Sequence, residues 1–325
     1  MKTISPRDAA IQMNKCGASH TPFLFAFDFE LEHALFIENP LAQSNILFRT
    51  PLGGNKTVTN KQIDTQLTAT PITFEAYQQR FDIVSRGLHR GNSFLTNLTV
   101  QTPISCNASM LDIFEMSKAP YCIFVPNHFV CFSPEIFVRI EGNTISTYPM
   151  KGTIDASLSN AEEIILNNPK ETAEHVTVVD LLRNDLGLNA NNVEVARFRY
   201  IEKIATPQRS ILQVSSEIRG TLGDNWQANI GDILLKMLPA GSVSGAPKAA
   251  TLNLIREAEQ GEKRGFYTGV FGYYDGEALD SGVLIRYIEE VDGKNFFRSG
   301  GGITVNSDCL SEYNEVIEKI YLPTT

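Results

Sequence analysis

No two cysteines in this chain form a Cys-x-x-Cys pair. The five that occur, Cys16, Cys106, Cys122, Cys131 and Cys309, stand singly along 325 residues. That spacing argues against a zinc or disulfide framework, and an odd set of lone thiols fits a reducing compartment. There is no run of 18 apolar residues and no apolar core in the first ten positions, so the expectation is a cytoplasmic protein outside any membrane. Positive charge is scarce: 28 Lys and Arg face 37 Asp and Glu, a net charge of −9. No basic stripe interleaved with aromatics appears, which argues against nucleic acid as a partner. An acidic chain that takes an anionic substrate must gather its few cations, or a metal, in one place. No Pro/Ser-rich linker or charge block divides the sequence, so residues 1–325 read as one large domain with ample length for a core.

What is present is a succession of short alternating runs broken by helical ones. Residues 23–37 (FLFAFDFELEHALFI) read as strand, turn and strand. Residues 50–70, rich in Thr, Asn, Gly and Gln, read as a loop. Helical spacing marks 73–90, with Gly91 as its stop, and then 110–118, 161–167 and 170–186, with Gly187 closing the last. Further helices are expected at 230–237, 247–260 and 310–321. Hairpins are expected at 121–132, at 137–148 around Glu141-Gly142-Asn143, and at 267–289 around Asp275-Gly276. Strands are expected at 93–100, 144–148, 193–204, 212–222 and 295–299. Hairpins grouped between helices, without βαβ alternation, indicate an α+β fold.

Several clusters carry chemistry. Lys151 is expected at a tight Gly152-Thr153 turn after a strand. A lysine held in a cleft can lose its proton and act as a nucleophile; on a surface it is a solvated charge. Glu171, Glu174 and His175 share one helix face, and Glu312 and Glu315 repeat the pattern on the closing helix. Each Glu pair is either a solvated acidic turn or half of a carboxylate site for a hard cation such as Mg²⁺. Gly300, Gly301 and Gly302 follow a strand and either let the backbone approach an anion or form a flexible connection. The run Gly241-Ser242-Val243-Ser244-Gly245-Ala246-Pro247-Lys248 is not a phosphate loop, because proline separates the lysine from its glycine. Arg286 is read inside an apolar strand, where it needs a carboxylate, from substrate or from the protein.

Together these pieces resemble the chorismate-utilising enzymes. The resemblance is dense from residue 91 onward: GNSFLTNLT (91–99), SPEIF (133–137), PMKGT (149–153), ETAEHVTVVDLLRNDLG (171–187), GSVSGAPK (241–248), RGFYTGVFGYYDG (264–276), DSGVLIR (280–286), GGGI (300–303) and SEYNE (311–315). Residues 1–90 carry little of it. The resemblance implies two large, mainly antiparallel sheets packed near-orthogonally with helices outside. It implies that Lys151 attacks ring carbon C2 of chorismate and that Glu135 protonates the departing C4 hydroxyl. Glu171, Glu174, Glu312 and Glu315 match the acidic residues around Mg²⁺, and His175 matches the histidine beside the ring carboxylate. Arg286 and Tyr267 match the pair on the enolpyruvyl carboxylate; Gly152, Thr153, Ser244, Gly300, Gly301 and Gly302 match substrate contacts.

Within the family, lysine in PMKGT and Asn97 in FLTNLT resemble the aminodeoxychorismate-forming members. Anthranilate, isochorismate and salicylate synthases usually show alanine at the lysine position. Asn92, Leu95 and Thr177 depart from the usual residues, none at a proposed catalytic position. No leucine-leucine-glutamate-serine effector motif is recognisable near the N-terminus. No cysteine sits in a Gly-x-Cys-x-Gly elbow, so ammonia is expected from a separate glutamine amidotransferase subunit or from solution. The alternatives are an anthranilate synthase component and a chorismate-binding paralogue without turnover.

Overall fold

The strand Phe23–Phe27 shows why the molecule is layered. All five residues are buried, although successive side chains of a strand point to opposite faces. Phe23, Phe25 and Phe27 join one core with Val138, Ile140, Ile218 and Trp226. Leu24 and Ala26 join another with Tyr121, Ile123, Phe271 and Leu284. Each fully buried Phe is worth about 1.5–3 kcal/mol of apolar transfer. Such a strand belongs inside the fold, covered on both sides. The structure, a computed structural model, describes residues 2–57, 59, 63–205 and 210–323.

Among the described residues two nine-stranded sheets are formed. The first runs Met150–Asp155, Ser210–Thr221, Thr144–Thr147, Ile136–Glu141, Leu279–Val283, Val270–Tyr274, Phe23–Phe27, Ala34–Glu38, with Asn191–Ala205 also pairing with Ser210–Thr221. The second runs Gly245–Ala246, Leu95–Cys106, Lys294–Ile303, Tyr287–Val291, Phe129–Ser133, Tyr121–Val125, Leu47–Thr50, Gly53–Gly54, with Leu67–Ala69 on Leu95–Cys106. All pairings among the described strands are antiparallel.

The helices lie outside. Pro6–Ala18, Pro169–Gly187 and Ile230–Met237 bring Met13, Val178, Leu182 and Leu234 to the first sheet. Phe74–His89, Lys248–Ala258 and Cys309–Glu318 bring Tyr77, Phe81, Ala258 and Val316 to Leu98, Val100 and Ile303 of the second. This is the expected two-sheet α+β architecture. The N-terminal stretch, poor in recognisable motifs, still supplies strands to both sheets. Part of the expected 50–70 loop is strand (Gly53–Gly54, Leu67–Ala69), and residues 58 and 60–62 of it lie outside the described residues.

Two crossings between the sheets create the site. The chain leaves the second sheet at Ser133 and enters the first at Ile136. It leaves the first at Val283 and enters the second at Tyr287. The crossings run side by side: Val283 N–H donates to Glu135 C=O at 3.0 Å, and Phe132 N–H to Arg286 C=O at 3.0 Å. The expected single strand from 278 to 289 is therefore two strands in different sheets. Arg286 is not inside a strand; it sits at the fork with φ 54°, a left-handed conformation that is uncommon for a side-chain-bearing residue.

Candidate active site

Where the sheets part, a cleft of about 670 Å³ opens. Glu135 and Arg286, from the two crossings, line it together with Lys151, Glu171, Glu315 and Lys319. A side cavity of about 80 Å³ is lined by Glu135, Lys151, Glu174 and Ser242. A second depression of about 600 Å³ lies at the C-terminal end of the Pro169–Gly187 helix. Its acidic residue, Asp232, is already tied to Arg7 and Asn14, so it lacks the charge convergence of the cleft.

Lys151 does not sit at a turn. It lies in the Met150–Asp155 strand, whose pairing with Ser210–Thr221 slips between Met150 and Thr153. This bulge, with Gly152 at φ 92°, re-aims the lysine. A Cβ on Gly152 would come within 3.0 Å of Glu171 Oε2, so glycine also admits the helix that carries Glu171. Lys151 Nζ meets Glu174 Oε2 at 2.8 Å. Burial works against the lysine's charge, yet Glu174, with Glu315 and Glu171 behind it, outweighs burial and raises its pKa. These carboxylates favour the charged form of Lys151, whereas attack on a substrate carbon needs the neutral amine.

Glu315, on the Cys309–Glu318 helix, meets Lys319 Nζ at 2.7 Å, and Lys319 Nζ donates to Gly300 C=O at 2.7 Å. Here burial prevails over Glu315, and Arg286 and Lys151 push the same way: the Lys319 pKa is lowered. Lys319 was missed in the sequence, although its i,i+4 spacing from Glu315 was visible there. Gly300, Gly301 and Gly302 are not a connection; they extend the Lys294–Ile303 strand along Leu95–Cys106. A Cβ on Gly301 would lie 3.3 Å from Glu312 Oε2, which explains why small residues are needed beneath that helix.

The other expected residues divide. Tyr267 lines the cleft, and burial pushes its phenol pKa up. Gly152, Thr153 and the three glycines also line it. Arg286 Nε donates to Tyr321 Oη at 2.8 Å, and no carboxylate pairs with it among the described residues. His175 lies behind the wall, 1% exposed, with Nε2 2.7 Å from Ser216 Oγ. Burial lowers its pKa to about 4, so its imidazole is neutral. Ser244 faces away: it is fully buried and donates to Ala240 C=O at 2.8 Å. Its neighbour Ser242 points at the site and donates to Glu135 Oε1. Burial raises the Glu135 pKa, against the pull of Ser242, Arg286 and Lys319. A carboxyl so placed keeps its proton at higher pH and suits acid catalysis.

The four glutamates are hard oxygen donors of the type Mg²⁺ prefers. Glu171, Glu174 and Glu315 act on one lysine, and Glu312 approaches Gly301, so the two helices do converge. Among the described residues no three acidic, His or Cys side chains form a ready cage. The chain's own cations hold Glu174 and Glu315 instead. The donor chemistry fits magnesium once those lysines give up their partners.

Comparison with known proteins shows the family and the fold. A family model described as chorismate binding enzyme matches residues 22–324. The chain is 50% identical over 314 residues to an "Uncharacterized PabA-like protein" of Haemophilus influenzae, covering 96% of this chain and 95% of that one. It is 31% identical over 268 residues to "Aminodeoxychorismate synthase component 1" of Bacillus subtilis (78% of this chain, 56% of that one). It is 36% identical over 230 residues to "Anthranilate synthase component 1" of Archaeoglobus fulgidus (68% and 54%). The chain thus spans little more than half of either synthase. The fold matches the menaquinone-specific isochorismate synthase MenF of Escherichia coli with a TM-score of 0.73 at 15% identity, over 98% of this chain and 82% of that one.

Proposed function

The chain belongs to the chorismate binding enzyme family, and we propose that it converts chorismate and ammonia to 4-amino-4-deoxychorismate. The observation that carries this reading is Lys151 on the bulged strand, sharing one cavity with Glu135. The Lys151 amine bonds to ring C2 as the ring double bonds shift and the C4–O bond breaks. Glu135 gives its proton to that oxygen, and water leaves. Ammonia then bonds to C4, the double bonds return, and the C2–N bond to Lys151 breaks. Hydroxide is a poor leaving group, so the raised pKa of Glu135 supports its part.

Glu174, Glu171, Glu315 and Glu312 would hold magnesium, which when bound supplies positive charge for the ring carboxylate. Glu174, 2.8 Å from Lys151 Nζ, is the carboxylate placed to take the proton that Lys151 gives up before its amine attacks C2. Arg286, which has no carboxylate ion pair among the described residues, and Tyr267 take the enolpyruvyl carboxylate. His175 fixes the wall behind Lys151 as a neutral ring and takes no direct part. Ammonia comes from a separate glutamine amidotransferase subunit, and the product feeds para-aminobenzoate and folate synthesis.

The test is the product. Purified chain with chorismate, Mg²⁺ and ammonium should form 4-amino-4-deoxychorismate, identified by mass. Anthranilate as the sole product would replace this reading with its sibling, and unchanged chorismate would make the chain a binding protein. With glutamine in place of ammonium the chain alone should be inactive.

A further inference from the structure

Ser242 has no structural task in its own turn. The short Gly241–Val243 turn has no side-chain cap and is held by other groups. Arg264 Nη1 donates to Val243 C=O at 3.0 Å, Ser244 Oγ to Ala240 C=O at 2.8 Å, and Asn97 N–H to Ser244 C=O at 2.9 Å. Lys248 bridges Asp185 at 2.8 Å and Met237 C=O, pinning the segment from the other side. A Cβ on Gly241 would meet Asp185 Oδ2 at 2.8 Å, so the turn is seated closely on the Pro169–Gly187 helix. Among the described residues the Ser242 hydroxyl makes one hydrogen bond, to Glu135 Oε1, and both residues line the main cleft and its side cavity.

We propose that Ser242 is a positioning residue that fixes the carboxyl of Glu135, occupying Oε1 so that the transferable proton sits on Oε2. The geometry supports this independently of pKa. Glu135 lies at a crossing between sheets, where only its backbone is held by the strand pairing, so its side chain needs an external tether. A hydroxyl donor is suited to the task. It binds the neutral acid through its carbonyl-like oxygen, and it binds the carboxylate left after proton transfer more strongly. The tether therefore gains strength as the C4–O bond breaks and the proton moves to the departing oxygen, so it favours the transition state over the ground state. The rate part of this inference rests on the proposed reaction; the contact itself does not.

The experiment uses the full chain and four variants: Ser242→Ala, Ser242→Thr, Glu135→Gln and the double variant Glu135→Gln/Ser242→Ala. Ser242→Ala should lose roughly 10–100-fold in kcat with KM for chorismate nearly unchanged, the size of one hydrogen bond to a developing charge. Ser242→Thr, which keeps the hydroxyl, should recover most of it. In the Glu135→Gln background the alanine should cost nothing more. An equal loss in that background, a loss confined to KM, or wild-type turnover by Ser242→Ala would overturn the proposal. A second measurement needs no turnover. The carbonyl stretch of protonated Glu135, assigned as the infrared band absent from Glu135→Gln, should move to higher frequency in Ser242→Ala, because a lost donor stiffens the C=O bond. An unmoved band refutes the tether even if the chain acts on chorismate. A moved band in a chain that leaves chorismate untouched upholds the tether and refutes the reaction.

Discussion

Two lysine–glutamate pairs lie at the cleft and its side cavity, and their geometry is nearly the same. Lys151 lies 2.8 Å from Glu174, and Lys319 lies 2.7 Å from Glu315. The lysines are similarly exposed, 28% and 23%. Their pKa shifts nevertheless point in opposite directions, up for Lys151 and down for Lys319. The carboxylates make the difference. Glu174 is 6% exposed and Glu315 is 49% exposed, and attraction across a buried pair is less screened than at the surface. Lys151 also feels Glu315 and Glu171, whereas Lys319 is opposed by Arg286 and Lys151. A short ion pair does not fix a lysine's protonation; the surrounding charges and burial do.

The comparison can be broken at its stronger pair first. Lys151→Ala should lose about 10²–10⁴-fold in aminodeoxychorismate formation, the range of a positioned nucleophile or proton-transfer group. Wild-type protein with chorismate and no ammonia should carry an adduct on the Lys151 peptide, seen by mass. A fully active alanine variant with no adduct would leave Lys151 as a wall residue. Glu174→Gln should come close in effect, with loss of turnover and a weaker Mg²⁺ response in titration calorimetry. Full activity in EDTA would remove magnesium from the account.

The weaker pair should respond less. Glu315→Gln should raise the Mg²⁺ concentration needed for half activity and lower kcat less than Glu174→Gln does, because the exposed glutamate is replaceable by water. Equal losses at both positions would mean that burial does not rank the two carboxylates.

The smallest effect sharpens the contrast. In metal-free protein at pH 8–9, limited acetylation followed by peptide mass analysis should label Lys319 before Lys151. Only a neutral amine reacts. A raised pKa keeps Lys151 protonated until higher pH, and a lowered one frees Lys319 at lower pH. Glu174→Gln should bring Lys151 labelling forward. Reversed order in the wild type would contradict the assigned directions.

Much of the wall was legible beforehand. The hairpin with its turn at Asn127, the hairpin around Gly142 and the helices at 169–187 and 309–318 follow from alternation, turn residues and helical spacing, and all of them form. The glutamates could be assigned to shared helix faces because a helix repeats locally. Two features were read wrongly and a third was left open for one reason. The 278–289 run, the Lys151 turn and the 300–302 glycine run all look the same in sequence whichever strand they pair with. Pairing partners lie far along the chain, and alternation carries no record of which sheet receives a residue. Ser244 was expected at the substrate and Ser242 was not considered, because residue type alone does not reveal which serine of the 241–248 run lines the cleft.

The sequence by itself determined the α+β class, because its elements rest on local periodicity, and it carried in its motifs the resemblance to the family whose model matches residues 22–324. Only the tertiary structure decided that Glu135 and Arg286 meet at a fork between two sheets, that the pKa of Lys151 is raised while that of Lys319 is lowered, and that Ser242 reaches the acid while Ser244 turns to Ala240. Those outcomes depend on distances and burial between residues remote in the chain, and charge interactions follow distance in space.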